Sequence, residues 1–297
     1  MADRGFTKAG RSGAVFFLVL AILPWIAHGG TIHPPEIHSL SGLIERFDSS
    51  GCRECHEAIY RQWESSHHAR PLMGLNDWIF LSKYLKEGAL AVRSAREATR
   101  ANFPCAKCHL PQLSLATDEA VKELAAAILK DDKETVRKLG ITCLVCHQEK
   151  ANVHHRPETD ALYGSRELRD HGGKYSTVRQ SPVMKDPVFC GQCHGQGPNL
   201  DTFPPVQCAT LYGSYLHAYI PAGGTQTCQD CHMPHKDHSV RPNFNDRDET
   251  SARLAAALPM EVQVLAYTFH PAENVKTPMI VVRTRITSKA GHRVPDG

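Results

Sequence analysis

A chain of 297 residues with 41% hydrophobic content and a formal charge of +3 has the makings of one large globular domain or two ordinary ones. That balance excludes the strongly basic surface of a nucleic-acid-binding protein. Eleven Cys and eighteen His exceed what packing requires, and both residue types hold metals and cofactors.

Taken from the start, Arg4, Lys8 and Arg11 form a basic region ahead of the apolar run AVFFLVLAILPWIA (14–27), the pattern of a secretory signal peptide over residues 1–29. The run is short for a bilayer span, so cleavage near Gly29 is expected, with a retained N-terminal anchor as the other reading. The protein is therefore expected in the periplasm or outside the cell. Loss of the segment leaves a charge of about +1, before any cofactor carboxylates are added.

Residues 53–67 (RECHEAIYRQWESSH) place Ile59, Tyr60 and Trp63 on one side of a predicted helix. The stretch 77–101 reads as one or two helices, with Asn76 as cap and Gly88 as a break. Thr117 caps a third, DEAVKELAAAILK, which has acids in its first turn and a strong apolar period. A further short helix ends by Gly140. Toward the C-terminus, EVQVLAYTF (261–269) and MIVVRTRIT (279–287) alternate with period two and predict two strands. Two strands are rarely stable alone, so they should pack on the rest of the chain, pair with another subunit, or belong to a longer protein. The expected fold is mainly α with long loops over 30–255, followed by a short β segment over 256–297.

Ten cysteines fall into five C-x-x-C pairs, each followed at once by His: Cys52/Cys55/His56, Cys105/Cys108/His109, Cys143/Cys146/His147, Cys190/Cys193/His194 and Cys228/Cys231/His232. This is the c-type haem attachment pattern: two sulfurs one turn apart meet the two vinyl groups of a porphyrin, and the adjacent imidazole meets the iron. Zinc ribbons and thioredoxin-like sites share C-x-x-C but need no His after it. With His at about 6% of the chain, five coincidences have a probability of about one in a million, so five covalently bound haems c, each with its iron, are expected. The motifs are too closely spaced for each haem to own a core, so the haems must share one. Cys208 is left over, in an apolar stretch without a basic neighbour, and reads as inert.

An electron-transfer haem usually takes a second axial ligand, and thirteen His remain. On a continuous helix His68 would lie about 18 Å from His56, so it should reach a different haem. His238, six residues after His232, would have to wrap around a porphyrin edge to serve the same iron. Adjacent His cannot share one target on a helix, so His154 and His155 offer one ligand between them. His217, in YGSYLHAY, is a further candidate, whereas His33, His38, His171 and His270 sit in segments without a signal and read as ordinary polar residues.

CRECHEAIYRQWESSHHAR, with Trp63, Ser66 and His68, resembles the W-x-x-S-x-H-A segment of the tetrahaem nitrifier electron carriers in the hydroxylamine oxidoreductase superfamily. GITCLVCH with His154/His155 downstream, CQDCHMP followed by His238, and AGHRVPDG with His292 are similar to segments of the same group. The resemblance implies His68, one of His154/His155, His238 and His292 as distal ligands. The chain departs from the enzymes of that group in having five motifs rather than eight and no C-x-x-C-Lys variant. The expected function is a pentahaem relay between redox partner proteins, one of which could be a quinol-oxidising membrane complex. The alternative is an oxidoreductase acting on a small nitrogen or sulfur compound at one open-faced haem. Oligomerisation is compatible with either.

Overall fold

The computed structural model describes residues 36–74, 77–86, 94–151, 161–168, 170–173, 175–195, 197, 200, 205, 207–243 and 246–296. The expected signal peptide, the Asn76 cap, the Gly88 break and His154/His155 lie outside these residues. Among the described residues no helix is long and apolar enough to cross a membrane.

The chain is mainly helical: α1 (Leu40–Arg46), α2 (Arg53–Ser65), α3 (Leu81–Lys86), α4 (Ala106–His109), α5 (Asp118–Leu129), α6 (Lys133–Arg137), α7 (Val188–His194), α8 (Leu211–Ser214), α9 (Cys228–His232) and α10 (Arg247–Ala257). Thr117 takes the N-cap position of α5 in extended backbone, and Asp118 and Glu119 lie in the first turn, where a helix dipole favours acids. The apolar period of α5 buries Val121, Leu124 and Ile128 against Leu43, Leu81, Phe103 and Leu110.

Residues 94–101 depart from the expected helix, forming a single tight turn at Ala95–Glu97. Side chains take over the backbone bonding there: Thr99 N–H donates to Asn102 Oδ1 (2.7 Å), Asn102 Nδ2 to Glu97 O (2.7 Å) and Arg100 N–H to Asp118 Oδ1 (2.9 Å). Short polar side chains compete with helix in this way.

Among the described residues two sheets accompany the helices. Strands β1 (Ala161–Gly164) and β2 (Thr177–Gln180) pair in parallel, in a segment where four-residue strands leave too little alternation to read. Strands β3 (Met260–Ala272) and β4 (Val275–Ile286) form a long antiparallel hairpin in register from Met260↔Ile286 to Phe269↔Thr277. The hairpin is longer than the alternation suggested, and both its faces are exposed throughout.

Burial is uneven along the chain. The hydrophobic core is built from residues between Leu40 and Val145, joined by Tyr175. Beyond Ser181, Tyr215 is the only buried residue among the described residues, although this half carries two of the five motifs.

Candidate haem centres

Each motif sits on a helical turn, which places its two thiols one turn apart on the same side. Cys105 and Cys52 take N-cap positions, Cys190 lies inside α7, and Cys228 opens α9 behind a capping box made by Thr227 and Asp230. The backbone leaves the helix at or just after the histidine: α4 ends at His109, α7 at His194 and α9 at His232, while His56 kinks α2 with φ −120° and ψ 40°. His147 lies in a widened π-type turn, Val145–Glu149.

Four motif histidines each face a second imidazole. Ring centroids are 5.9 Å apart for His56 and His171, 6.2 Å for His68 and His194, 6.3 Å for His147 and His238, and 6.0 Å for His232 and His292. Two imidazoles bound to opposite faces of one metal, with metal–nitrogen bonds of about 2 Å and a ring radius of about 1.1 Å, have centroids about 6.3 Å apart. The observed spacings match that requirement and are too long for direct ring contact.

The hydrogen bonds set the tautomer. Nδ1 donates to a backbone carbonyl in His109 (Pro71, 3.0 Å), His147 (Tyr163, 2.8 Å), His171 (Tyr175, 3.1 Å), His238 (Lys236, 2.7 Å) and His292 (Arg293, 2.8 Å), and in His232 to Arg241. A carbonyl can only accept, so Nε2 is left as the unprotonated ligand atom in all six. Burial favours the neutral form further: the His68 imidazole is pushed down to about 4 by desolvation, with His194 and His67 beside it.

The histidines that face the motif histidines are held by tethers. Ile141 N–H donates to His68 O (2.7 Å) and Trp63 Nε1 to Ile141 O (2.8 Å), binding the first motif's helix to the segment before the third. Gly140 permits this approach, since a Cβ there would stand 3.0 Å from Ala69 O and 3.2 Å from the Trp63 ring. His238 N–H donates to Gln62 Oε1 (3.0 Å), and Asp237 accepts from Ser239 N–H (2.8 Å) and Arg241 Nε (2.6 Å), fixing the loop that serves both His238 and His232. His292 is positioned from AGHRVPDG: Arg293 N–H donates to Ser214 Oγ (3.1 Å), and Asp296 accepts from Thr210 Oγ1 (2.9 Å).

The thiols also group across motifs. Cys52 hydrogen-bonds Cys143, Cys108 bonds Cys193, and Cys190 bonds Cys228. Within each pair the bond raises one thiol and lowers the other: Cys52, Cys108 and Cys190 go up, while Cys143 and Cys228 go down and Cys193 falls to about 7. Burial pushes Cys146 up to about 12. The first motif thus adjoins the third, and the fourth adjoins both the second and the fifth. Gln192 Nε2, donating to Lys150 O (3.0 Å), ties the fourth motif to the third as well. Cys208 is half-buried and close enough to Cys105 and Cys108 to raise both thiols electrostatically.

Two of the ten motif thiols, Cys55 and Cys231, are exposed, while the other eight are half-buried. For Cys55 the reason is local. It stands in the first turns of α2, where residues 53–59 are all exposed and no side chain of the helix is fully buried. Packing on α2 begins a turn later, with Gln62 and Trp63 half-buried and bonded to the His238 loop and to Ile141 O. Cys55 is therefore placed beside Cys52 and His56 by helix geometry, and side-chain packing does not enclose it. Cys231 likewise closes a five-residue helix, α9, that has no buried residue.

The structure brings His68, His238 and His292 to motif histidines, each serving a motif other than the nearest one upstream for His68 and His238. His217 lies exposed on the turn Tyr215–Tyr219, and no ring contact joins it to a motif histidine among the described residues. His154 lies outside them. His171, read from sequence as an ordinary polar residue, faces His56 with ring centroids 5.9 Å apart; its turn is closed by His171 N–H donating to Ser176 O (2.9 Å) and by Gly172 and Gly173 at positive φ. The only local hint is His-Gly-Gly, a turn signal and no ligand signal. His109 differs from the other four: its ring contacts Phe80 at 4.8 Å, too near for a porphyrin to lie between them.

Residues 51–148, about a third of the chain and including the first three motifs, match the family described as cytochrome c554 and c-prime. No curated protein and no solved structure matches. The family match supports a c-type cytochrome with covalently bound haem c and a role in electron transfer.

Proposed function

We infer that this c-type cytochrome carries five haems and relays electrons between exported redox partners. The observation that supports the reading best is the set of four imidazole pairs at 5.9–6.3 Å. A bis-histidine iron has no position for substrate, and its use is electron transfer. Haem c, when attached, supplies a one-electron iron couple. The chain's own residues do the rest. The ten motif cysteines hold the porphyrins covalently, and the paired Nε2 atoms fix the ligand field. The Nδ1–carbonyl bonds raise ligand basicity, and burial tunes the potential. Adjacency of the first with the third motif, and of the fourth with the second and fifth, favours porphyrins packed close together. A quinol-oxidising membrane complex is one donor consistent with an exported carrier.

A second reading attaches to the centre of His109, the one motif histidine that no second imidazole faces among the described residues: a haem able to take a small nitrogen or sulfur compound on its other face. Mass spectrometry of protein secreted from a host competent in haem attachment tests the stoichiometry. We expect the mature chain plus five haems, with the ten motif thiols unreactive, the exposed Cys55 and Cys231 included. Three or fewer haems, or ten titratable thiols, would sink the reading.

A further inference from the structure

The β3–β4 hairpin carries twelve of the nineteen exposed large hydrophobic side chains among the described residues, and its two faces differ. Cross-strand partners share a face. One face carries the Glu261–Arg285 ion pair (3.6 Å) and the Gln263/Arg283 pair at its base. The opposite face, from Met260 to Thr268 on β3 and from Pro278 to Ile286 on β4, holds no charged side chain. Met260, Val262, Val264, Ile280, Val282 and Ile286 lie on it and are 55–68% exposed. A two-stranded ribbon with such a face is marginal in water, and an apolar patch of this extent marks a contact surface.

We propose that this uncharged face packs against the same face of a second copy of the chain. The six side chains leave on the order of 600 Å² per chain in water, so two copies would bury about 1,200 Å², the lower end of stable protein interfaces. An uncharged, β-branched face is matched by another of its kind, and a two-fold axis in the plane between the ribbons satisfies both copies at once. The helical part of the chain stands at the base of each hairpin, where Lys289 N–H donates to Ala257 O (2.8 Å). Steric room therefore sets the two hairpins antiparallel, the tip of one over the base of the other.

Sedimentation of the secreted holoprotein across a concentration series tests this, with Val264→Lys/Val282→Lys as the variant and Gln263→Lys, on the other face, as control. We expect a dimer whose dissociation constant rises at least about 100-fold in the double variant and is unchanged in the control, because each lysine buries an unpaired charge. A monomeric native protein, its hairpin covered by further chain or by another partner, overturns the proposal. So does a dimer that survives both lysines. If the double variant loses its native haem spectrum, cross-linking of the native protein decides. Lys276 and Lys289 of one chain are separated by about 34 Å of strand, so a lysine-reactive cross-linker of shorter reach joins them only between copies. That link supports the proposal, and its absence overturns it.

Discussion

Exported from a host that cannot attach haem, the chain is expected to be unfolded over residues 182–257 while the core around α5 keeps its helices. Ordering a backbone costs about 1–2 kcal/mol per residue, and over this long segment Tyr215 alone is buried among the described residues, the rest being half-buried or exposed. One buried aromatic side chain returns about 1.5–3 kcal/mol, far short of the requirement. On the proposed reading the porphyrins hold α7, α8 and α9 in place, offering the apolar surface the sequence lacks here, much as a structural metal folds a small domain. Leu43, Leu81, Phe103, Leu124 and Ile128, in contrast, pack against one another without a cofactor. Hydrogen exchange read by mass spectrometry should show amides in 188–232 exchanging at unprotected rates in the haem-free protein, with α5 still protected. Full protection of α7 and α9 without haem would show that side-chain packing suffices.

His171→Ala is expected to convert one haem from low spin to high spin while its thioether bonds remain. His171 lies 5.9 Å from His56 across the distance an iron requires, and its Nδ1 is anchored on Tyr175 O, leaving Nε2 as the ligand. No other imidazole is paired with His56 among the described residues, so removal leaves that iron with a single protein ligand. The visible spectrum of the oxidised variant should gain one high-spin component, and the mass should still include every haem. An unchanged spectrum would remove His171 from the ligand set. His38 or His217 replaced in the same way should leave the spectrum as it was.

How far these features are legible from sequence follows from how local they are. The attachment motifs are complete within five residues, and α5 and the hairpin strands announce themselves by apolar period over nine or more. The spacing within a motif says nothing of its surroundings, so the exposure of Cys55 depends on what packs against α2 and is not written in CRECH. Distal ligation is a contact between distant segments: His68 meets His194, His238 meets His147 and His171 meets His56. Helix geometry says that His68 must leave its own motif, and does not say where it goes. His171 is illegible because its position is set by the β1–β2 pair and a glycine turn, both too short to carry a pattern. The tight turn at 95–97 defeats a reading by period because Thr99, Asn102 and Asp118 capture backbone groups that period alone assigns to a helix.

Closure of the irons by pairs of motif and remote histidines can be read from electron paramagnetic resonance of the fully oxidised holoprotein. At least four low-spin bis-histidine haems are expected, from the pairs at His56, His147, His194 and His232. The haem of His109 then separates the two functional readings: a fifth low-spin signal identifies a relay alone, and a single high-spin haem responsive to nitric oxide, nitrite or hydroxylamine identifies a site for chemistry. Two or more high-spin haems in the native protein would contradict the account.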